Sequence, residues 1–280
     1  GRAARLLQHR AEPFIDVHPA DLPDLGLSEG DLAWVENRHG QYLGRVRAEP
    51  GQRPGEVFAP IHWNDQFTAQ GCIGRLLAPV TDPVSGQPES KQGAVRLRRF
   101  NARWHARLLT RDLARPSGPP LYWSWVPLTH VNAWHLAAEW AFDPLALASV
   151  WLRGEPQLVM HDPSSGRYRA ARFQGERLMA VLMVEPENRF PGLDWLDGCF
   201  EPPALDIDRR RCVLAGRAVD QVDTGPVVCA CFQVGQVAIQ AAIGEGCTSV
   251  EALGNQLRCG TNCGSCVPEI KNLLLRAEAV

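Results

Sequence analysis

Cys229-Ala230-Cys231 and Cys263-Gly264-Ser265-Cys266 are the two cysteine motifs that decide the fold at the C-terminal end of this chain. Thiolates spaced so closely can converge on one soft metal centre, and a set of four cysteines suits either zinc or an iron–sulfur cluster. The chain has 9 cysteines, and most of them lie near this end in metal-ligand spacing. An exported disulfide scaffold is therefore disfavoured.

The sequence between the motifs predicts short helices. Residues 232–243 have helical apolar spacing, and the pattern ends at glycines. Thr248 and Glu251 form the pattern of a capping box, which predicts Thr248 as the N-cap of a second helix that ends near Arg258.

A third helix is expected to begin at Pro268, with a buried stripe formed by Ile270, Leu273 and Leu274. The second cysteine motif then lies just before a helix N-terminus. Unpaired N–H groups there stabilise added negative charge, which a redox cluster needs more than structural zinc does.

The region from about Val228 to Leu275 resembles the small [2Fe–2S] module of bacterioferritin-associated ferredoxin, which is also appended to assimilatory nitrate and nitrite reductases. The matching stretches are Val228–Cys231, Gly246–Ser249 and Cys259–Glu269. The resemblance implies the following cluster ligands: Cys229, Cys231, Cys263 and Cys266. Cys247 and Cys259 are extra thiols, and Cys259 is close enough to compete; structural zinc and disulfides are the alternatives.

Length and charge limit the classes of function. The 280 residues suffice for two or three domains, and a net charge of −2 offers no basic field for nucleic acid. The start of the chain lacks the long apolar core of a secretory signal. The strongest apolar run, Leu178–Val184, is too short to span a bilayer and suits a buried strand. We therefore expect a cytoplasmic protein and, because the first residue is Gly1, a piece of a longer one.

The first hundred residues read as short strands separated by proline and glycine turns. Leu32–Glu36 and Tyr42–Val46 flank the turn Asn37–Gly40 as a predicted hairpin. Strands of this length and spacing favour a closed barrel.

Two polar stretches interrupt this pattern. Ile61–Asp65 follows a predicted strand directly, and Asp82 to Lys91 is a proline-rich loop. Lys91 can place a charge against a phosphate, while Asn64, Gln87 and the loop amides can bind the edge of a heterocycle. The alternatives are an ordinary turn at 82–86, a structural His62 and a core Trp63.

These stretches, together with His18–Asp21 and Gly55–Phe58, resemble the C-terminal dinucleotide-binding domain of molybdopterin oxidoreductases, in the nitrate reductase branch. The resemblance implies a double-psi β-barrel that covers one of two molybdopterin guanine dinucleotides. It implies the following cofactor contacts: Gly1, Arg2, His62, Trp63, Asn64, Asp82, Gln87 and Lys91. Gly74 departs from the family, which usually has Asn there for a cofactor hydrogen bond.

The middle of the chain is rich in tryptophan over residues 121–152 and has few basic residues among those rings, which favours core packing over base stacking.

Ala102–Arg107 is interpreted as a linker. Leu158–His161, Arg167–Phe173 and Leu178–Val184 are predicted antiparallel strands, and Leu193–Phe200 is a predicted short helix. This region resembles the small α+β domain that precedes the ferredoxin-like module in such reductases. No Gly-x-Gly-x-x-Gly follows a strand, so a Rossmann site for NADH or FAD is not expected.

The sequence thus predicts a multidomain fold. It consists of a β-rich double-psi barrel (1–100), an intermediate α+β domain with a linker (101–223) and a small all-α [2Fe–2S]-binding domain (224–280). The resemblance implies the C-terminal part of an assimilatory nitrate reductase, with no catalytic residue in this chain.

Several partners and cofactors follow from that resemblance. They are nitrate as substrate, a molybdenum-bis-molybdopterin guanine dinucleotide shared with upstream domains, a [4Fe–4S] cluster upstream, and an NAD(P)H/flavin reductase or a ferredoxin as electron donor; neither nucleic acid nor membrane is expected. The alternatives are a subunit of another reductase, such as sirohaem nitrite reductase or formate dehydrogenase, and a non-enzymatic iron-responsive ferredoxin-like binding protein.

Overall fold

The computed structural model describes residues 12–88, 92–118, 122–218 and 224–278. It contains two compact units. One comprises the described residues up to Phe190 together with Phe200–Leu205, and the other comprises Pro191–Cys199 and the described residues from Asp206 onward. The first unit is built mainly of sheets and the second mainly of helices, which confirms the expected multidomain, sheet-rich fold with a few helices. The domain boundaries given above stay predictions.

A five-stranded sheet forms the start of the first unit. Its order is β4-β1-β3-β2-β5, with β1 parallel to β3 and the other pairs antiparallel. The strands are β1 (Phe14–Val17), β2 (Leu32–Glu36), β3 (Gln41–Ala48), β4 (Val57–Phe58) and β5 (Arg96–Arg99). The pairing of β2 with β3 confirms the predicted hairpin. Within the described ranges, β4 and β5 lie at the two edges of this sheet.

A six-stranded antiparallel sheet completes the first unit, in the order β7-β8-β6-β11-β10-β9. The strands are β6 (Trp104–Thr110), β7 (Tyr122–Pro127), β8 (Asn132–Ala138), β9 (Leu158–Asp162), β10 (Arg167–Gln174) and β11 (Arg177–Glu185); helix α1 (Pro144–Leu152) packs on β10 and β11. The three strands predicted from 158 to 184 are confirmed. The interpretation of Ala102–Arg107 as a linker is wrong, because most of it lies in β6, between β8 and β11.

One face of the six-stranded sheet buries the tryptophans. Trp104, Trp134 and Trp151 are buried in a single core cluster, and Trp140 packs against it. The indole N–H of Trp104 donates to the carbonyl of Trp140 at 2.7 Å, so the polar atom of this buried ring has a partner. The prediction that the tryptophans pack a core is confirmed.

The opposite face of that sheet carries a buried polar cluster. Glu12 accepts hydrogen bonds from Arg45 of β3 and from the hydroxyl of Tyr122 of β7, the latter at 3.0 Å, and its carboxylate lies 3.5 Å from Nδ1 of His135. Burial alone would raise the pKa of Glu12, but the charge of Arg45 and the polar contact with His135 hold that pKa well below its usual range. Glu12 therefore links the two sheets, because it forms an ion pair with Arg45 of one sheet and accepts a hydrogen bond from Tyr122 of the other.

The second unit contains five helices in the described residues: α2 (Leu193–Gly198), α3 (Ile207–Cys212), α4 (Gln236–Gly244), α5 (Val250–Leu257) and α6 (Val267–Glu278). It also contains a short hairpin of β12 (Val227–Cys229) and β13 (Val234–Gly235). The domain predicted as all-α is therefore mainly helical but begins with a short β-hairpin.

The three helices after the hairpin differ from the sequence pattern at two places. The first of them, α4, begins at Gln236 rather than at Phe232, because Val234 and Gly235 form β13. Ile270, Leu273 and Leu274 are buried as predicted. The N-cap of α5 is Ser249, whose hydroxyl accepts from the amide of Ala252 at 3.1 Å, and not Thr248. No helix in the described ranges has both the length and the apolar character needed to cross a bilayer.

Candidate metal centre and cofactor loop

The first cysteine motif lies on the β12–β13 hairpin. Cys229 is the last residue of β12 and pairs with Val234 of β13, so its side chain is buried in the helical core. Cys231 lies in the connection and is exposed. Gln233 follows with a φ of +52°. The tight turn thus separates the two thiols of one motif into a buried and an exposed position.

The second cysteine motif lies between α5 and α6. Helix α5 ends at Leu257, and its C-cap Arg258 has a φ of +64° and donates its amide to Gly254 O at 2.8 Å. The chain then passes through Gly260 with a φ of +80° before it reaches Cys263, which is exposed. Cys266 is buried and directly precedes α6, and its carbonyl accepts the amide of Ile270 at 3.0 Å.

The four thiols meet in two pairs, each formed from one residue of each motif. The Sγ atoms of Cys231 and Cys263 are 3.3 Å apart on the exposed side. Cys229 and Cys266 are hydrogen-bonded to each other on the buried side. Folding therefore brings the predicted residues into contact two by two, across the two motifs.

The two pairs differ in how readily they ionise. The hydroxyl of Ser265, whose Oγ lies 3.0 Å from Cys263 Sγ, and the amide of Ser265 lower the pKa of Cys263 to about 7. Burial, followed by the hydrogen bond with Cys229, raises the pKa of Cys266 to about 11. Cys263 thus supplies thiolate near neutral pH, whereas Cys266 must release its proton as metal binds.

The donor set consists of thiols, which suit either structural zinc or an iron–sulfur cluster. In the described ranges, no three histidine, cysteine, aspartate or glutamate side chains converge as a set that could hold a single metal ion. Structural zinc requires four ligands around one centre. A [2Fe–2S] cluster is held by four thiolates shared between two irons.

The two extra thiols near the motifs, Cys247 and Cys259, have hydrogen-bond partners outside the four-cysteine set. Cys259 is fully buried, and its Sγ donates to Leu253 O at 3.7 Å. Cys247 Sγ donates to Gln256 Oε1 at 2.9 Å. These contacts disfavour Cys259 as a rival ligand, although the sequence placed it close to the motif.

Arg258 is a positively charged residue five positions before Cys263, one of the two exposed thiols. Its guanidinium lies 4.4 Å from the ring centroid of Phe232, the residue after Cys231. Sequence reasoning missed both this contact and that of Ser265. The position of Ser265 inside the ligand motif was the one signal that could have revealed it.

The candidate cofactor residues of the first unit lie on two loops. Trp63 is buried, while His62 and Asn64 are exposed. Asn64 Oδ1 accepts the amide of Gln66 at 2.9 Å, so its side chain stabilises the local turn. The side chain of His62 also faces solvent.

The second loop is closed by its own hydrogen bonds. Asp82 Oδ1 accepts from the amide and the hydroxyl of Ser85 at 2.7 and 2.9 Å, and these bonds lower the pKa of Asp82. The amide of Asp82 donates to Gln87 O at 2.8 Å, which leaves the Gln87 side chain exposed. Asp82 therefore shapes the loop. Gly1, Arg2 and Lys91 lie outside the described residues.

The segment after Asn64 is fixed to the edge strand β7. The amide of Ala69 donates to Trp123 O at 2.8 Å, and the amide of Trp125 donates to Phe67 O at 2.7 Å. The rings of Phe67 and Trp125 stack with centroids 5.6 Å apart. The six-stranded sheet thereby holds the loop that carries His62, an arrangement that the sequence did not indicate.

Comparisons with known proteins cover both sites. Residues 1–94 match the family described as the molydopterin dinucleotide binding domain, and residues 227–276 match the BFD-like [2Fe-2S] binding domain. Over 284 aligned residues, which are 98% of this chain, it is 36% identical to nitrate reductase of Klebsiella oxytoca. The chain spans 31% of the length of that relative.

Two further similarities are limited to about a third of the chain. The F420-dependent formate dehydrogenase subunit alpha of Methanocaldococcus jannaschii is 30% identical over 99 residues, 35% of this chain and 14% of that protein. Among solved structures, acetylene hydratase from Pelobacter acetylenicus aligns at 20% identity over 35% of this chain and 15% of that one, with a TM-score of 0.30. That score is too low to establish a shared fold.

The family matches agree with the two resemblances found in the sequence, and with molybdopterin and [2Fe–2S] as the cofactors. The chain contains a region that matches the molydopterin dinucleotide binding domain and one that matches the BFD-like [2Fe-2S] binding domain, and it is similar to nitrate reductase over nearly its whole length.

Proposed function

We propose that this chain is the C-terminal part of an assimilatory nitrate reductase. Its first unit covers a molybdopterin guanine dinucleotide, and its last domain relays electrons through a [2Fe–2S] cluster held by Cys229, Cys231, Cys263 and Cys266. The observation that carries the proposal is the meeting of the two cysteine motifs as two sulfur pairs, with Cys231 and Cys263 3.3 Å apart.

The protein residues around the sulfurs suit a redox role. A bound [2Fe–2S] cluster supplies one-electron chemistry, and hydrogen bonds to its sulfurs set its potential. The amide of Ser265 donates to Cys263, and the amide of Gly260 donates to Cys266. Both amides place partial positive charge on ligand sulfur, which favours the state with the additional electron. Because Cys231 and Cys263 are exposed, a redox partner can come close to the sulfurs, and electron exchange needs such a short distance.

The ligand set is tested by replacing each of the four cysteines with serine. Anaerobically reconstituted C229S, C231S, C263S and C266S should lose most of their iron and acid-labile sulfide, together with the visible absorption of the cluster. Cys247→Ser and Cys259→Ala are matched controls in the same unit, and both should retain wild-type iron and sulfide.

Two results would contradict the ligand set. One is full iron and sulfide in C263S. The other is a colourless wild-type protein that binds one zinc per chain, which would assign the cysteines to a structural site.

For the first unit we propose a double-psi β-barrel with the cofactor contacts implied by the family: Gly1, Arg2, His62, Trp63, Asn64, Asp82, Gln87 and Lys91. The exposed side chains of His62 and Gln87 support the proposal, because they lie on loops fixed by backbone hydrogen bonds. The carboxylate of Asp82 is occupied by Ser85, so we propose that it acts through the loop conformation.

The cofactor contacts are tested in the full-length protein. His62→Ala and Gln87→Ala should lower the content of extracted molybdopterin guanine dinucleotide, since each removes a polar contact from a fixed loop. Gln41→Ala, an exposed residue at the start of β3, is the control that should leave it unchanged. Full-length protein without any such cofactor would overturn this part of the proposal.

The activity of the whole protein is also a proposal. We propose reduction of nitrate to nitrite at a molybdenum centre, with a [4Fe–4S] cluster and the molybdenum ligand upstream of this chain, in the cytoplasm. The electron donor would be an NAD(P)H/flavin reductase or a ferredoxin. The similarity to nitrate reductase supports this reading because it extends over 98% of the chain, whereas that to formate dehydrogenase covers 35%. Nitrate and formate assays of the full-length protein separate the two.

A further inference from the structure

Ser265 lies between the second pair of cysteines and turns its side chain back onto one of them. Its Oγ is 3.0 Å from Cys263 Sγ. Thr261, in the same loop, instead directs its hydroxyl to Arg258 O at 2.7 Å. The loop thus contains one hydroxyl directed at sulfur and another directed at the backbone. Variants of Thr261 can therefore serve as a matched control for variants of Ser265.

Metal binding fixes the direction of the Ser265 hydrogen bond. In the free thiol either atom can be the donor. A cysteine that ligates a metal has lost its proton, so only the hydroxyl of Ser265 can then donate. Cys231 Sγ, which donates to Cys263 in the free protein, also loses its proton on ligation and can no longer do so. The hydroxyl therefore remains as a side-chain donor to Cys263.

We propose that Ser265 is a tuning residue that raises the reduction potential of the bound [2Fe–2S] cluster by donating a hydrogen bond to Cys263. The inference rests on the ligand set proposed above. Reduction adds one electron to the cluster and removes one from the donor, which is dithionite in the experiment below. No covalent bond changes and Ser265 keeps its proton. A donor aimed at sulfur stabilises the more negative, reduced state more than the oxidised one.

The experiment measures the midpoint potential of the full chain by dithionite titration monitored by EPR. For Ser265→Ala, the ratio of oxidised to reduced cluster at a fixed ambient potential should rise about tenfold, which is about 59 mV for a one-electron couple. Ser265→Thr keeps a hydroxyl and should restore the wild-type potential. Thr261→Val removes the other hydroxyl of the loop and should leave the potential unchanged.

Iron and sulfide analysis separates failure of this inference from failure of the ligand set. A Ser265→Ala protein with wild-type iron, wild-type sulfide and an unchanged potential overturns the role of Ser265 and leaves the ligands intact. Full iron and sulfide in Cys263→Ser overturns the ligand set itself, and the role of Ser265 with it.

A second measurement needs no variant. The iron–cysteine stretching bands in the resonance Raman spectrum of the wild-type protein should shift in D2O, because Cys263 accepts exchangeable hydrogen bonds. Spectra that are identical in H2O and D2O would overturn the proposal even if Ser265→Ala failed to assemble.

Discussion

The hydroxyl of Thr68 donates to the carbonyl oxygen of Trp123 at 2.9 Å, and Thr68 is completely buried. This bond joins the loop that carries the candidate cofactor residues to the edge of the six-stranded sheet. Thr68→Val keeps the shape of the side chain but removes the donor. Because Trp123 O still accepts the amide of Ala69, we expect a loss of about 0.5–1.5 kcal/mol in the free energy of unfolding.

Urea denaturation measures this change. Thr81→Val, at an exposed position of the same unit, is the control and should change the free energy of unfolding by less than about 0.5 kcal/mol. Equal stability of Thr68→Val and the wild type would mean that the hydroxyl bond does not hold the loop.

Glu12→Gln tests the buried ion pair of Glu12 and Arg45. The variant leaves the Arg45 guanidinium buried without its carboxylate, and we expect a loss of about 3–5 kcal/mol. The control is Glu56→Gln, which breaks the exposed pair of Arg53 and Glu56 and should cost at most about 1 kcal/mol. Similar losses in the two variants would contradict a buried ion pair at Glu12.

The same carboxylate predicts a dependence of stability on acid. The pKa of Glu12 is lower in the folded than in the unfolded protein. Its contribution is therefore fully present above the unfolded value of about 4.3 and is lost as the pH falls through the folded pKa. Between pH 7 and pH 3, the free energy of unfolding should fall more steeply for the wild type than for Glu12→Gln; parallel curves would refute this assignment.

Gly235 of β13 tests whether the hairpin holds the first cysteine motif. A Cβ at this position would lie 2.0 Å from the backbone oxygen of Thr224, so Gly235→Ala must displace the strand that pairs with Cys229. We expect a loss of about 1–3 kcal/mol and a lower iron content after reconstitution. Gly244→Ala is the control, since nothing lies within 4 Å of its Cβ position, and it should be neutral or slightly stabilising. Normal stability and iron in Gly235→Ala would exclude this role.

The corrected helix cap gives a paired prediction. Ser249→Ala removes the acceptor for the amide of Ala252 and should lower the free energy of unfolding by about 1 kcal/mol. Thr248→Ala, one position earlier, should change it by less than half as much. Thermal unfolding of the two variants distinguishes them, and a larger effect at Thr248 would restore the cap expected from the sequence.

The sequence was most informative where local pattern determines structure. The spacing of Cys263 and Cys266, the buried stripe of α6 and the hairpin of β2 and β3 all depend on residues close along the chain. The cap of α5 was misplaced by one residue because Thr248 and Ser249 are both good N-cap residues and only the backbone angles select between them.

The missed features depend on contacts between distant residues. Strand β6 was interpreted as a linker because the polar residues His105 and Arg107 alternate with Trp104 and Ala106, and their face of the sheet is buried against other polar groups. Glu12 gave no local signal because its partners Arg45 and Tyr122 are 33 and 110 positions away.

The order of the five-stranded sheet has a consequence for how the chain folds. Hairpin β2–β3 closes over a short connection, whereas Arg98 of β5 must reach Glu36 of β2 across 62 positions. Closing that long loop carries a greater entropy cost and is slower than forming the hairpin. The segment with His62 and Gln87 lies inside this loop. We therefore expect it to reach its final conformation only after β5 has paired with β2, late in the folding of the five-stranded sheet.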